Sequence, residues 1–244
     1  MIEIIKKQEQ AYGEFNGGEI IENKPIGFPQ EGGKIKPYSN IFYWAHAKAE
    51  KESTIGLHPH KGFEIISFVL SGSIKHYDTL LKKWIKLKEG DVQVIKSGSG
   101  ISHSEALNDH SSIFQIWFDP DLNKSLNKPA QYQDYTKDSF KVIDSKKELI
   151  GKNSIAIDSE GVKVYEIELN NEELKIEIQE TKTYSLYIMK GELLMNTKNL
   201  EQDDFVIIKN ERALCFNTNE KIKIFCVETN TKLTYSSYYE TYMK

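Results

Sequence analysis

Two cysteines in 244 residues are too few for a disulfide framework, and no run of 18 apolar residues is present to cross a bilayer as a helix. Cys215 and Cys226 both fall in late strand-like segments and read as buried free thiols. The opening MIEIIKKQEQ lacks the charged-then-apolar order of a secretory leader, so a cytoplasmic protein without membrane contact is expected. There is also no dominance of one charge: 32 Lys and Arg face 36 Asp and Glu, a formal net charge of −4. The basic pairs Lys6-Lys7, Lys82-Lys83 and Lys146-Lys147 are scattered among acids, so no nucleic-acid footprint is expected.

The scarcer residues are unevenly placed. All six histidines lie between His46 and His110, all prolines at or before Pro129, all three tryptophans at or before Trp117, and 12 of 15 glycines at or before Gly100. Whatever chemistry the chain performs therefore belongs to its first half. Both halves nevertheless carry short β-branched and aromatic runs broken by turns, the spacing of an all-β protein. Strands are expected at 41–45, 64–70, 73–77, 84–87, 91–95 and 112–118, then at 162–169, 174–179, 184–189, 192–196, 205–209, 213–217 and 222–227. The one clear helix candidate is DSKKELI, residues 144–150, with Asp144 or Ser145 as cap and Gly151 as stop.

A weak internal repeat runs through these strands. SFVLSGSIKH (67–76) corresponds to LYIMKGELLM (186–195), LKEGDVQVIK (87–96) to LEQDDFVIIK (200–209), and SIFQIWF (112–118) to KIFCVET (223–229). This order predicts a duplicated β-domain: residues 1–135 as the first copy, 136–150 as a linker and 151–244 as a second copy without histidine. Opposite the first histidine motif the second copy offers TKTYSLY (181–187), and near the second ERALCFN (211–217), so it is expected to bind no transition metal.

LHPHKGFE (57–64) places His58 and His60 two apart, on one face of a strand if the segment is extended. Pro59 supplies no N–H and so belongs at an edge or a strand start. SGSGISHSEAL (97–107) contains a second pair at the same spacing, His103 and Glu105, after a glycine-serine turn. Two such pairs on neighbouring strands converge on one cation. Three neutral imidazoles and a carboxylate suit Fe(II), Mn, Co, Ni, Cu or Zn, and not Ca or Mg, and they leave coordination positions open for a reaction. The bland alternative is a set of hydrogen-bonded strand histidines. His76 is placed to be an outer-shell group, whereas His46 and His110 have no partner at ligand spacing and read as structural.

HPHKGFE (58–64), GDVQ (90–93), GSGISHSE (98–105) and PAQYQDY (129–135) together resemble the pirin family, a branch of the cupin superfamily. The resemblance implies an all-β bicupin: two jelly-roll-like β-barrel domains packed face to face, with few short helices. It implies one mononuclear metal, commonly iron, in the first barrel, with ligands at His58, His60, His103 and Glu105. HPHKGFE also fits the germin-like pattern H-x-H-x-x-x-E, which would make Glu64 the carboxylate ligand. That pattern puts its last histidine at position 101, which is Ile101, so Glu105 is preferred and Glu64 reads as an inward or outer-shell group. Lys61 stands where pirins usually carry arginine, LLKKW (80–84) replaces a glycine-containing hairpin, and Val94 replaces an aromatic, which puts the pocket's shape in question.

Some members of this family open flavonols such as quercetin with dioxygen, releasing carbon monoxide. A flavonol and dioxygen are then the expected substrates, Glu105 the general base, and Phe63, Phe68, Val94 and Phe114 the candidate apolar walls. Other members are metal-loaded or redox-responsive regulatory proteins that bind a transcription factor or an enzyme without turnover. A purely structural metal is the third reading.

Overall fold

Short β-branched and aromatic runs, punctuated by glycine, asparagine and aspartate turns at positive φ, become 22 strands in the computed structural model, which describes residues 1–244. The chain opens with β1 (Ile2–Ile5), β2 (Ala11–Phe15), β3 (Ile20–Ile26), β4 (Ile41–Ala49), β5 (Ser53–His60) and β6 (Glu64–Ser71). It continues through β7 (Ser73–Asp78), β8 (Ile85–Lys88), β9 (Val92–Lys96), β10 (Ile101–Leu107), β11 (Ser112–Phe118) and β12 (Gln131–Tyr135). The second half holds β13 (Val142–Ile143), β14 (Lys146–Ile150), β15 (Lys163–Asn170), β16 (Glu173–Glu177) and β17 (Lys182–Lys190). It ends with β18 (Leu193–Met195), β19 (Lys198–Leu200), β20 (Phe205–Lys209), β21 (Ala213–Asn217) and β22 (Lys221–Asn230). Helix is confined to α1 (Leu122–Ser125), α2 (Tyr238–Tyr242) and two single 3₁₀ turns.

Every expected strand is present. The expected helix at 144–150 is not: Lys146–Ile150 is strand β14, paired antiparallel with β15 from Lys146 opposite Ile167 to Ile150 opposite Val164. A seven-residue segment is too short to hold a helix against a sheet edge that satisfies its backbone groups in register. Of the anticipated linker 136–150, residues 142–143 and 146–150 are strands β13 and β14, at one edge of a seven-stranded sheet. The termini also cross the expected boundaries. Gln10–Ser139 and Thr234–Lys244 form one compact unit, and Met1–Glu9 with Phe140–Leu233 the other. β1 is the reason at one end, pairing with β20 from Ile2 opposite Ile208 to Ile5 opposite Phe205. At the other, the Ser237 capping box starts α2, and Tyr238 meets the rings of Phe42 and Phe63 at 5.4 and 5.3 Å.

Each unit contains a seven-stranded and a four-stranded antiparallel sheet, in matching order. The first has β12-β9-β6-β11-β4-β3-β2 and β5-β10-β7-β8; the second has β1-β20-β17-β22-β15-β14-β13 and β16-β21-β18-β19. Register establishes the duplication residue by residue. Ser67 lies opposite Gln93 and Gln115, and Leu186 lies opposite Val206 and Cys226 in the same arrangement. On the small sheets His103 faces His58, and Glu105 faces His76. Counting from Gly72 and Gly191, the counterparts are Leu214 facing Ile176 and Phe216 facing Met195. The second-unit counterpart of β5 is therefore β16, a few residues before TKTYSLY.

All of Ile176, Leu186, Met195, Val206, Leu214, Phe216 and Cys226 belong to one buried apolar cluster. Where the first unit keeps polar groups inside, the second has a packed hydrocarbon core, each such side chain contributing about 1.5–3 kcal/mol by burial. The two cysteines are free; Cys226 is buried, but Cys215 is only half-buried. No helix is long and apolar enough to cross a membrane.

Candidate metal centre

β5 is an edge strand, with β10 as its neighbour, so Pro59 opposite Ser102 costs the sheet no ladder hydrogen bond toward its open side. Period-two alternation then turns His58 and His60 to one face, and His103 arrives on the same face from β10. The loop before β10 is clamped: Gly62 N–H donates to the Gly98 carbonyl and Ser99 N–H to the Lys128 carbonyl, at 2.9 and 2.8 Å. Gly98 has φ +49°, and a Cβ there would lie 2.5 Å from the Lys128 carbonyl oxygen and 2.8 Å from that of Pro129. Gly98→Ala is expected to destabilise the protein by about 2 kcal/mol or more. A fall in the urea midpoint without a change in slope is the measurement that checks it.

The ligand atoms of His58, His60 and His103 lie within 4.8 Å of one another, with His60 Nε2 and His103 Nε2 2.9 Å apart. Two nitrogens bound at ~2.1 Å and a right angle to one ion are separated by about 3.0 Å, so this pair fits adjacent positions of a six-coordinate cation. His58 Nδ1 lies 2.7 Å from the Gly56 carbonyl oxygen, a contact that fixes Nδ1 as the protonated nitrogen and leaves Nε2 as the donor atom. His60 and His103 are both pushed down to about 3, first by burial and then by the neighbouring imidazoles. Both are neutral near pH 7, with lone pairs ready for a cation.

The same shift has a stability consequence. Depressed folded values mean that the unfolded chain binds protons first as pH falls below the unfolded value of 6.5. Stability from these two groups is intact above pH 6.5 and is lost progressively as pH falls toward about 3. The metal-free protein is expected to lose on the order of 2–3 kcal/mol per pH unit through this window. Urea unfolding at pH 7 and pH 5 tests this, and His60→Asn should roughly halve the slope.

Glu105 does not join all three of those histidines. It forms a second cluster with His103 and His76, again with ligand atoms within 4.8 Å, so His103 is common to both. The Glu105 carboxylate is fully engaged: Oε1 accepts from Ser67 Oγ at 3.0 Å and Gln93 Nε2 at 2.9 Å, and Oε2 from Gln115 Nε2 at 2.5 Å. Trp117 Nε1 donates to Gln115 Oε1 at 3.0 Å, which orients that amide, and the Trp117 ring meets His60 edge-on at 4.7 Å. His76 stacks on Tyr132 at 4.5 Å and its Nε2 contacts Asp78 Oδ2 at 2.7 Å. His76 Nδ1 and His103 Nδ1 are buried without a hydrogen-bond partner, which marks the polar interior as built for something further.

Of the anticipated walls, Phe63 packs among Phe42, Trp117 and Tyr238, next to the histidines. Phe68, Val94 and Phe114 do not. Their neighbours Ser67, Gln93 and Gln115 point inward to Glu105, so alternation sends these three to the opposite face, where Phe114 meets Trp44 and His46. Glu64 shares that opposite face and is 3.6 Å from Lys96 Nζ, away from the imidazoles. His46 packs against Phe114, and His110 is exposed beside Asp109. Ser67, Gln93, Gln115, Trp117, Asp78 and Tyr132 were not anticipated. The first three had a visible signal, a lone polar residue inside an apolar strand: EIISFVL, VQVI and SIFQIWF.

A model of the Pirin family matches residues 26–118. A Zymomonas mobilis protein with the provisional name quercetin 2,3-dioxygenase is 38% identical over 89 residues, 36% of this chain and only 37% of that protein. The quercetin 2,3-dioxygenase of Escherichia coli K12 is 23% identical over 177 residues, 69% of this chain and 73% of that protein. The solved structure of the bacterial pirin YhhW from Escherichia coli in complex with nickel(II) aligns at a TM-score of 0.80 and 20% identity, covering 95% of this chain and 100% of that one.

Proposed function

Since this chain belongs to the pirin family and has its bicupin fold, we propose that it is a metal-dependent dioxygenase that cleaves the ring of a flavonol such as quercetin. The observation that carries this reading is the convergence of three imidazoles beside a buried, hydrogen-bonded carboxylate. His58, His60 and His103 would hold the metal, with Glu105 as the carboxylate that completes or flanks the set. Fe(II) is the favoured ion; nickel, the ion of the related structure, stands next, and Co, Mn, Cu or Zn also suit the donors. When bound, the ion supplies Lewis acidity toward an acidic hydroxyl of the substrate.

The chain's own residues do the rest. Glu105 takes the hydroxyl proton as general base, and Ser67, Gln93 and Gln115 keep its two oxygens aimed. Phe63, Phe42 and Trp117 offer flat apolar surface beside His60 for the rings and exclude water there. Metal analysis joined to oxygen uptake with quercetin is the test, comparing wild type with His60→Ala. One equivalent of metal with quercetin-dependent uptake, both lost in the variant, supports the reading. A metal-loaded protein that consumes no oxygen with any flavonol tried removes it.

One observation favours the regulatory reading as a second. Leu80 and Trp84, in the hairpin between β7 and β8, are 51% and 50% exposed, an apolar knob that a protein partner would cover. Partner binding that follows metal loading, without oxygen uptake, would make this the better account.

A further inference from the structure

The outer face of the first unit's small sheet gathers charges that the sequence scatters. In β5-β10-β7-β8 the imidazoles of His58, His103 and His76 turn inward, with Glu105 and Asp78. Alternation then turns Leu57, Lys75, Tyr77 and Lys86 to the other side. Lys75 and Lys86, from neighbouring strands, stand directly opposite each other. Like charges in that position weaken a sheet. Nothing on this face relieves them: Asp78 and Glu105, 0% and 1% exposed, are the only acids on the four strands. Lys75 reaches Glu52, outside the sheet, at 3.8 Å, whereas Lys86 and the hairpin residues Lys82 and Lys83 have no carboxylate partner. The exposed acids that border the sheet, Glu52, Glu89 and Asp109, lie at the end remote from this hairpin, with Lys88 among them.

Apolar side chains stand out among these lysines. Leu57, Leu80 and Trp84 are each at least half exposed, and the Trp84 ring leans on Tyr77 with centroids 5.6 Å apart. The hairpin is held in shape from below. Asp78 Oδ1 accepts from the backbone N–H groups of Leu80 and Leu81 at 2.8 and 2.6 Å, and Lys82 N–H donates to the Asp78 carbonyl at 2.9 Å. Ser102 N–H ties Thr79 Oγ1 to β10 at 3.1 Å. Protruding leucine and tryptophan between unpaired lysines match a bilayer interface, where hydrocarbon begins just beneath a layer of phosphate groups. Leucines offer a nucleic acid no ring to stack on. A protein partner would need a pocket for each apolar side chain and acids placed to match; an anionic bilayer supplies both without either being shaped.

We propose that this hairpin docks the protein on an anionic lipid surface, with Leu80 and Trp84 entering the interface and Lys82, Lys83 and Lys86 meeting the phosphates. The docking does not depend on the activity proposed for the metal centre. The test is sedimentation of the full-length protein with vesicles of equal parts phosphatidylglycerol and phosphatidylcholine, and with vesicles of phosphatidylcholine alone. Binding is expected to the anionic vesicles only, falling as salt rises from about 50 to about 300 mM. Lys82→Gln with Lys83→Gln should weaken it roughly 25-fold, about fivefold for each charge removed. Leu80→Ser with Trp84→Ser should weaken it by about tenfold or more. Lys198→Gln, at an exposed lysine of the second unit, should change nothing. An unmoved thermal midpoint shows that each variant is folded. Absence of binding to the anionic vesicles overturns the proposal, as does binding that survives either double variant at full strength or is equal on phosphatidylcholine. Oligothymidylate or polyglutamate bound through Lys82 and Lys83 while vesicles are not assigns the surface to a nucleic acid or an acidic protein and equally overturns it.

Discussion

His103→Ala is expected to lose metal more completely than any other single substitution, with affinity falling roughly 100-fold or more, and flavonol-dependent oxygen uptake falling with it. Even outer-shell partners of metal ligands cost 10–100-fold when removed, and a direct donor costs at least the upper end. His103 is singled out because it is the one residue common to both ligand clusters and is fully buried. Its loss leaves His58 and His60 from one cluster and His76 and Glu105 from the other, two donors on each side. Elemental analysis reads the result directly. Thermal unfolding gives a second view, because an ion that binds only the folded state raises the wild-type midpoint and should leave that of the variant unmoved. His110→Ala, at an exposed site, is the control that should change neither. A His103→Ala protein that still carries one tightly bound equivalent would refute the site.

Glu105→Gln is expected to reduce oxygen uptake by about 10²–10⁴-fold, the usual worth of a general base, while three imidazoles still retain metal. The isosteric change also costs stability, for a reason written in the hydrogen bonds. Both Glu105 oxygens accept from protein donors, so an amide NH₂ at either position must face Gln115 Nε2 or the Ser67 and Gln93 pair. Flipping the Gln115 amide does not help, because its oxygen is already committed to Trp117 Nε1–H. The NH₂ must then face Ser67 Oγ and Gln93, whose amide can turn its unpartnered Oε1 toward it. That turn removes Gln93 Nε2 from its bonds to Ser67 and residue 105 and leaves this buried donor unsatisfied, at a cost of about 1–3 kcal/mol. Urea unfolding of the metal-free variant measures that cost. A variant as stable as the wild type would mean the carboxylate is not held as described, and one with full uptake would relieve Glu105 of its role as base.

Strand positions and the pairings at i and i+2 were legible because period-two patterning is a local property. His58, His60, His103 and Glu105 could be picked out for the same reason, together with the motifs they share with a known family. The segment 144–150 misled because its cap and stop residues are genuine helix signals, which a neighbouring strand overrides by completing a ladder. Phe68, Val94 and Phe114 misled differently. Each is apolar and adjacent to the right strand, but the inward face of those strands carries the polar residue between them. Apolar identity marks burial; it does not say on which side of a sheet.

Taken alone, the residue order determined an all-β duplicated chain whose histidines all lie in the first copy. Tertiary structure decided which residues meet: that β1 completes the second unit's seven-stranded sheet, that His103 serves two clusters, and that Gln93, Gln115 and Ser67 hold Glu105. The physical reason is that strand periodicity is fixed within a few residues, whereas register and strand order join positions tens to hundreds of residues apart, and no local pattern encodes those partners.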